Sequence, residues 1–247
     1  MEQVADHIIG FLPILVRVSA LVMASPIFGG RGVPAQVKIG LSVVTALVLY
    51  PTLQVSFPLG QPVAAYYVLL GKELFIGIGL GFAGTLVFSS IYLAGQLIDV
   101  PMGFGMVNVV DPQSGLQVPI FAQFQYILAA LVFLSIGGHH ALLQALSTSF
   151  AVIPVGETMA PNGLSMVLFE VFVKMFYLGV KLSLPLVTGL LLADIALGIV
   201  ARAVPQINIF VVGFPAKILL GIPLFVLVLP AYVALLTRVF NAQGESS

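Results

Sequence analysis

Along this chain the hydrophobic positions run together into long blocks, and the polar ones are too sparse to outline a water-facing surface. There are 33 uncharged residues between Lys38 and Lys72, 25 between Glu73 and Asp99, 45 between Asp111 and Glu157, and 20 between Lys217 and Arg238. A bilayer crossing needs about 20 mostly apolar residues, so each block is long enough to span. Two further segments are apolar but interrupted. Ile8 to Phe28 carries Arg17, and Leu164 to Ile199 carries Glu170, Lys174, Lys181 and Asp194. Outer-membrane strands alternate polar and apolar positions every second residue, and these blocks do not. The pattern predicts an all-α membrane protein, one domain over residues 1–247, with six to eight hydrophobic, proline-kinked helices and hairpins.

One stretch departs from it. Gly95 to Pro119 holds Pro101, Gly103, Gly105, Asp111-Pro112, Ser114-Gly115 and Pro119, a composition that favours turns. It predicts a loop of about twenty residues in a chain otherwise joined by short turns, and loops that long are usually functional or disordered. Phe104, Met106, Val107, Val109 and Val110 make it too apolar for a solvated tail, so it is expected to pack into something.

Glycine and proline shape the remaining blocks. Pro13, Pro26, Pro185, Pro215, Pro223 and Pro230 fall in or beside apolar runs. Each frees a backbone carbonyl, which lipid tolerates only if a neighbour satisfies it again. Gly77 and Gly81 form a GxxxG pair that Gly84 extends, the kind of small-residue face along which helices pack closely. Tight packing of bent helices favours a subunit of an assembly over a lone channel.

Composition narrows the class further. Sixty per cent of the 247 residues are hydrophobic and 7% charged, for a mean hydropathy of +1.17. A soluble domain carries about 25% charged residues. Disorder needs low hydrophobicity and high net charge. Both are excluded. The formal net charge of zero gives no basic face for nucleic acid. With no cysteine there is no disulfide, thiol or zinc-ribbon chemistry. Glu2, Asp6 and Arg17 stand where a cleaved signal peptide wants positive charge and an unbroken apolar core. Loop charges place residues 29–38 on the cytoplasmic side, and Arg238 places the C-terminus there too.

The charges inside apolar segments need an explanation. A charge at the centre of a spanning helix costs about 2.5–3.5 kcal/mol, so Arg17, Glu170, Lys174, Lys181 and Asp194 must pair, face water, or avoid lipid. Glu170 and Lys174 stand four apart with the acid first, the favoured order for a helical ion pair. Lys181 continues their stripe at about 100° per residue. Three readings stay open: a structural pair with a snorkelling lysine, a stripe facing a partner helix or a wet channel, or a substrate-translocating proton site. Arg202 and Lys217 join these residues as candidates for buried or intersubunit contacts.

Other motifs carry less. Gly79-Leu80-Gly81-Phe82-Ala83-Gly84 satisfies GxGxxG, but it lies in an apolar run with no βαβ unit around it, so helix packing is the reading. An aspartyl pair of Asp99 and Asp194 lacks its sequence context. His139 and His140, adjacent on a helix, point about 100° apart and chelate one metal poorly. No serine or threonine has a base at readable spacing. Neither an enzyme, a metal nor a cofactor is expected. The alternative function class is a small-solute permease, and the segment Asp194 to Pro215 loosely resembles an importer's coupling loop.

The segment Arg202 to Pro215, with Pro205-Gln206, Asn208, Phe210, Gly213, Phe214 and Pro215, closely resembles the PQ-x-N-x-F-x-x-G-x-P signature of the FliR family. Further likenesses run along most of the chain: Arg17 with Pro26-Ile27-Phe28, Arg31…Pro34…Lys38, Glu73-Leu74…Gly77…Gly81-Phe82, Gln96…Asp99…Gly103, Asp111-Pro112-Gln113-Ser114-Gly115 and Leu192-Ala193-Asp194. The resemblance implies a non-enzymatic subunit of the flagellar type III export gate in the bacterial inner membrane and flagellar basal body, with a virulence-injectisome counterpart, SctT. It implies assembly with FliP-like and FliQ-like subunits in a helical pore, alongside FlhB-like and FlhA-like export proteins, with unfolded substrates in transit and membrane lipid around it. It also implies a mid-chain plug of the closed pore. By position its counterpart is Gly103, Phe104, Gly105, Met106, Val107, Asn108, Val109, Val110, Asp111, Pro112, Gln113, Ser114 and Gly115.

Overall fold

The computed structural model describes residues 2–30, 32–53, 62–104, 119–157, 161–206 and 208–245. Among them are seven α-helices: α1 Glu2–Ala24, α2 Ala35–Leu49, α3 Val63–Met102, α4 Ile120–Ser135, α5 Gly138–Val152, α6 Pro161–Ala203 and α7 Ile209–Glu245. A 3-10 turn follows α2 at Tyr50–Thr52, and no strand occurs among the described residues. Among the described residues five helices are long and apolar enough to cross a membrane, or six if the sharply bent pair α4 and α5 counts as one span. The protein is an all-α membrane protein. Helices α3, α6 and α7 have 40, 43 and 37 residues, about twice the 20 or so that a bilayer crossing needs.

Two expectations about segment ends are corrected. Lys72 and Glu73, read as the edges of apolar blocks, lie inside α3, because Glu73 is buried against an arginine and needs no membrane surface. The loop expected from Gly95 onward starts eight residues later, at Gly103. Ile91, Ala94, Ile98 and Met102 are buried at helical spacing, and that packing carries α3 through Gly95. Pro101 falls in the last turn of α3, one residue before its end. Gly103, at φ +96°, takes the left-handed conformation that ends a helix and suits glycine.

The chain divides into two compact units. The first comprises Met1–Val87, Gly137–Phe172 and Gln243–Ser247. Its core is Ile14, Val18, Leu21 and Val22 of α1, Ala46 of α2, and Leu146 and Phe150 of α5. Here α1 and the first half of α3 run parallel. Tyr66 donates to the Ile9 carbonyl at 2.9 Å, and further along both helices Thr85 donates to that of Ala24 at 2.7 Å.

The second unit comprises Phe88–Ile136 and Val173–Ala242. Ile98, Met102, Phe121, Leu186, Leu190 and Phe225 form its core, joining α3, α4, α6 and α7. Aromatic rings extend that core. Phe225 meets Phe121 edge-on at 4.9 Å, and Phe133 meets Phe240 at 5.2 Å.

Candidate functional site

Arg17, in the middle of α1, is a buried polar group bonded on several sides. Its Nε donates to Glu73 Oε2 of α3 at 2.5 Å, and neither side chain is exposed. One terminal nitrogen donates to the carbonyl of Ser149 at 3.1 Å and the other to that of Ile153 at 3.0 Å. The guanidinium lies over the Phe150 ring, 4.1 Å from its centroid. Glu73 uses its other oxygen to accept the Gly156 N–H at 3.3 Å. A planar fork with several fixed donors suits a site with acceptors on three sides, which the point charge of lysine does not. The pair therefore fastens α1, α3, α5 and the turn after α5 in one apolar interior.

Gly77 and Gly81 stand beside it on α3. A methyl built on Gly77 would overlap the Arg17 carbonyl and reach within 2.6 Å of Ala20 Cβ. One on Gly81 would lie 2.6 Å from Ala24 Cβ and 2.8 Å from the Leu21 oxygen. Gly84 differs, since its nearest neighbour, Pro26 Cδ, is at an ordinary 3.5 Å.

In the second unit, contacts gather where α3 ends and α4 starts. Met102 is fully buried, and a methyl on Gly221 of α7 would lie 2.7 Å from its Cε. One on Gly103 would lie 2.8 Å from the Phe214 ring. Phe104 packs against the core of that unit. Asp99 accepts two backbone N–H groups, those of Phe121 and Ala122, at 2.9 and 3.1 Å. Lys217 of α7 pairs with Asp194 of α6 and sits 6.0 Å from the centre of the Phe214 ring.

The residues singled out in the sequence thus fall into groups. Arg17 is buried and Asp194 meets Lys217. Glu170, Lys174, Lys181, Arg202, Pro205, Gln206 and Pro215 are exposed, with Gly213 buried and Phe214 half-buried. Lys181 lies 5.8 Å from the centre of the Tyr177 ring. Of the loop residues, Gly103 and Phe104 are described, and Gly105 to Gly115 lie outside the described residues. The GxGxxG run is inside α3. Asp99 and Asp194 are each engaged separately. Among the described residues no group of three or more His, Cys, Asp or Glu could hold a metal ion.

Sequence reasoning passed over Glu73, Asp99 and Gly95 as site residues. Glu73 and Asp99 were visible as the only carboxylates in or beside the apolar run 63–104. Their partners stand 56 and 22 residues away along the chain.

A family model described as bacterial export proteins, family 1, matches residues 8–243. The flagellar biosynthetic protein FliR of Bacillus subtilis is 36% identical over 250 aligned residues, covering 100% of this chain and 96% of that protein. The FliR of Escherichia coli is 34% identical, covering 95% of this chain and 91% of its own length. That of Pectobacterium carotovorum is 35% identical over 87% of this chain and 82% of its own.

Proposed function

Because the chain belongs to the bacterial export proteins of family 1, we propose that it is a pore-forming structural subunit of a flagellar type III protein export gate in the inner membrane. It assembles with FliP-like and FliQ-like subunits and works beside FlhB-like and FlhA-like export proteins. Unfolded flagellar subunits pass through the assembly, and residues 103–115 plug it when closed. The role is conductive and structural, with no catalytic group, metal or cofactor.

The observation that carries this reading is likeness over the full length to proteins named for flagellar biosynthesis. The surface supports a place in an assembly. Within Phe169–Ala203 only 11% of an 18-residue apolar segment is buried in the chain, and within Val211–Phe240 only 17% of one. Large apolar surface left open marks contact with lipid or with other subunits. Helices with nearly twice the residues that one crossing needs also fit a protein that is held partly by other proteins.

Native mass spectrometry of the tagged chain, co-expressed with the FliP-like and FliQ-like neighbours of the same genome, tests the proposal. A defined complex holding this chain with both neighbours is the expected result. A monomer or homodimer that ignores them would overturn it.

A further inference from the structure

An α-helix leaves its first N–H groups without partners, and the residue before the helix usually supplies an oxygen to one of them. The residue before α4 is Pro119, which has no side-chain acceptor. Asp99 fills that gap from a different helix. One carboxylate oxygen takes the N–H of Phe121 and the other that of Ala122. Asp99 as a residue is 4% exposed, so water has little access to the site. One turn earlier on α3, Gly95 lets the two backbones close up, since a methyl there would lie 2.7 Å from Ala122 Cβ and overlap the backbone of that residue. A cap drawn from the residue before a helix is local. One drawn from another helix couples two elements.

We infer that Asp99 is the positioning residue that fixes the first turn of α4 against the last turns of α3. Its chemistry fits this task better than the usual capping residues. A serine or asparagine oxygen serves one such N–H well, whereas the two oxygens of a carboxylate hold both, and a negative charge suits a helix N-terminus. The contact also lies one turn from Met102 and Gly103, which rest against Gly221 and Phe214 of α7. The chain therefore leaves α3 and returns at α4 under separate constraints within one unit. The functional weight of this geometry rests on the proposal that residues 103–115 plug the pore, because Asp99 then sets where the plug is rooted.

The test compares the wild type with D99N and D99A in the assembled complex co-expressed with its neighbours. Amide hydrogen exchange reads the contact itself. Losing a cap of this kind shifts the local opening equilibrium by about tenfold, so exchange of the Phe121 and Ala122 amides in D99A should quicken by about that factor. D99N keeps one acceptor and should fall between, while amides in α1 should be unaffected. Unchanged exchange at Phe121 and Ala122 would overturn the inference. Closed-state ion conductance in planar bilayers reads the consequence, with deletion of residues 105–114 as the reference. D99A should leak at undiminished yield of complex. A deletion that leaks beside a silent D99A would overturn the positioning role and leave the plug standing. A deletion that does not leak would remove the plug, and the functional role of Asp99 with it.

Discussion

Arg17 and Glu73 meet at 2.5 Å across 56 positions of sequence, and neither is exposed. Removing one member of a buried pair strands the other and costs about 3–5 kcal/mol. R17A and E73A should therefore each destabilise the purified protein by about that much in an unfolding titration. R17K should recover little, because one ammonium cannot serve Glu73, Ser149 and Ile153 together. The exchanged pair R17E/E73R should also fail, since a carboxylate at position 17 would face the carbonyls that arginine satisfies. Wild-type stability in the exchanged pair would show that charge complementarity alone holds the site.

The three glycines of the α3 face are predicted to behave unequally. Forcing a methyl into a packed contact costs about 1–3 kcal/mol, which is the loss expected for G77A and for G81A. G84A has room at 3.5 Å and should change stability by less than about 0.5 kcal/mol. Thermal unfolding of the three variants in one detergent measures the contrast, and equal losses at all three positions would contradict it.

Gly103 combines two constraints that variants can separate. Its φ of +96° disfavours any residue with a side chain, and its missing methyl makes room for Phe214. G103A should therefore destabilise the second unit. In the double variant G103A/F214A the steric part disappears and the backbone part remains. The pair should be less destabilised than the sum of the singles, with the difference read from a double-mutant cycle. Strict additivity would mean that the ring and the glycine do not press on each other.

Gln125 in α4 is fully buried, and neither end of its amide has a hydrogen-bond partner among the described residues. Replacing an unpaired buried polar group by an apolar one of similar shape is close to neutral or stabilising. Q125M should accordingly match or exceed the wild type in unfolding, and a loss of more than about 1 kcal/mol would reveal a partner for the amide.

How much of this was readable from the sequence depended on distance along the chain. Apolar blocks give helices by length alone, and the helices arise where those blocks lie. Helix ends were misplaced wherever a charge or a glycine had a tertiary purpose. Glu73 looked like a boundary because its arginine lies two helices earlier. Gly95 looked like a turn because the backbone of Ala122, which needs the space, follows 27 residues later. Arg17 was recognisable as too costly to leave unpaired, yet nothing in its neighbourhood named Glu73. The signature around Pro205 and Pro215 carried the family likeness, while the contact of its Phe214 with Gly103 joins segments more than a hundred residues apart.

The prolines of α7 carry a last consequence. Pro215, Pro223 and Pro230 lie inside that helix, and each withholds the N–H that the carbonyl four residues earlier would ordinarily accept. Those carbonyls belong to Val211, Leu219 and Val226, whose side chains are 66%, 72% and 60% exposed. At about 100° per residue the three positions lie within roughly 80° of one another. Beneath its apolar side chains α7 thus carries a line of backbone oxygens deprived of their regular donors, one about every two turns. Acyl chains have nothing to offer them. Hydroxyl, amide or ammonium groups on an adjoining helix would, and so would ordered water, which makes this side of α7 chemically selective about its neighbour despite being lined with valine and leucine.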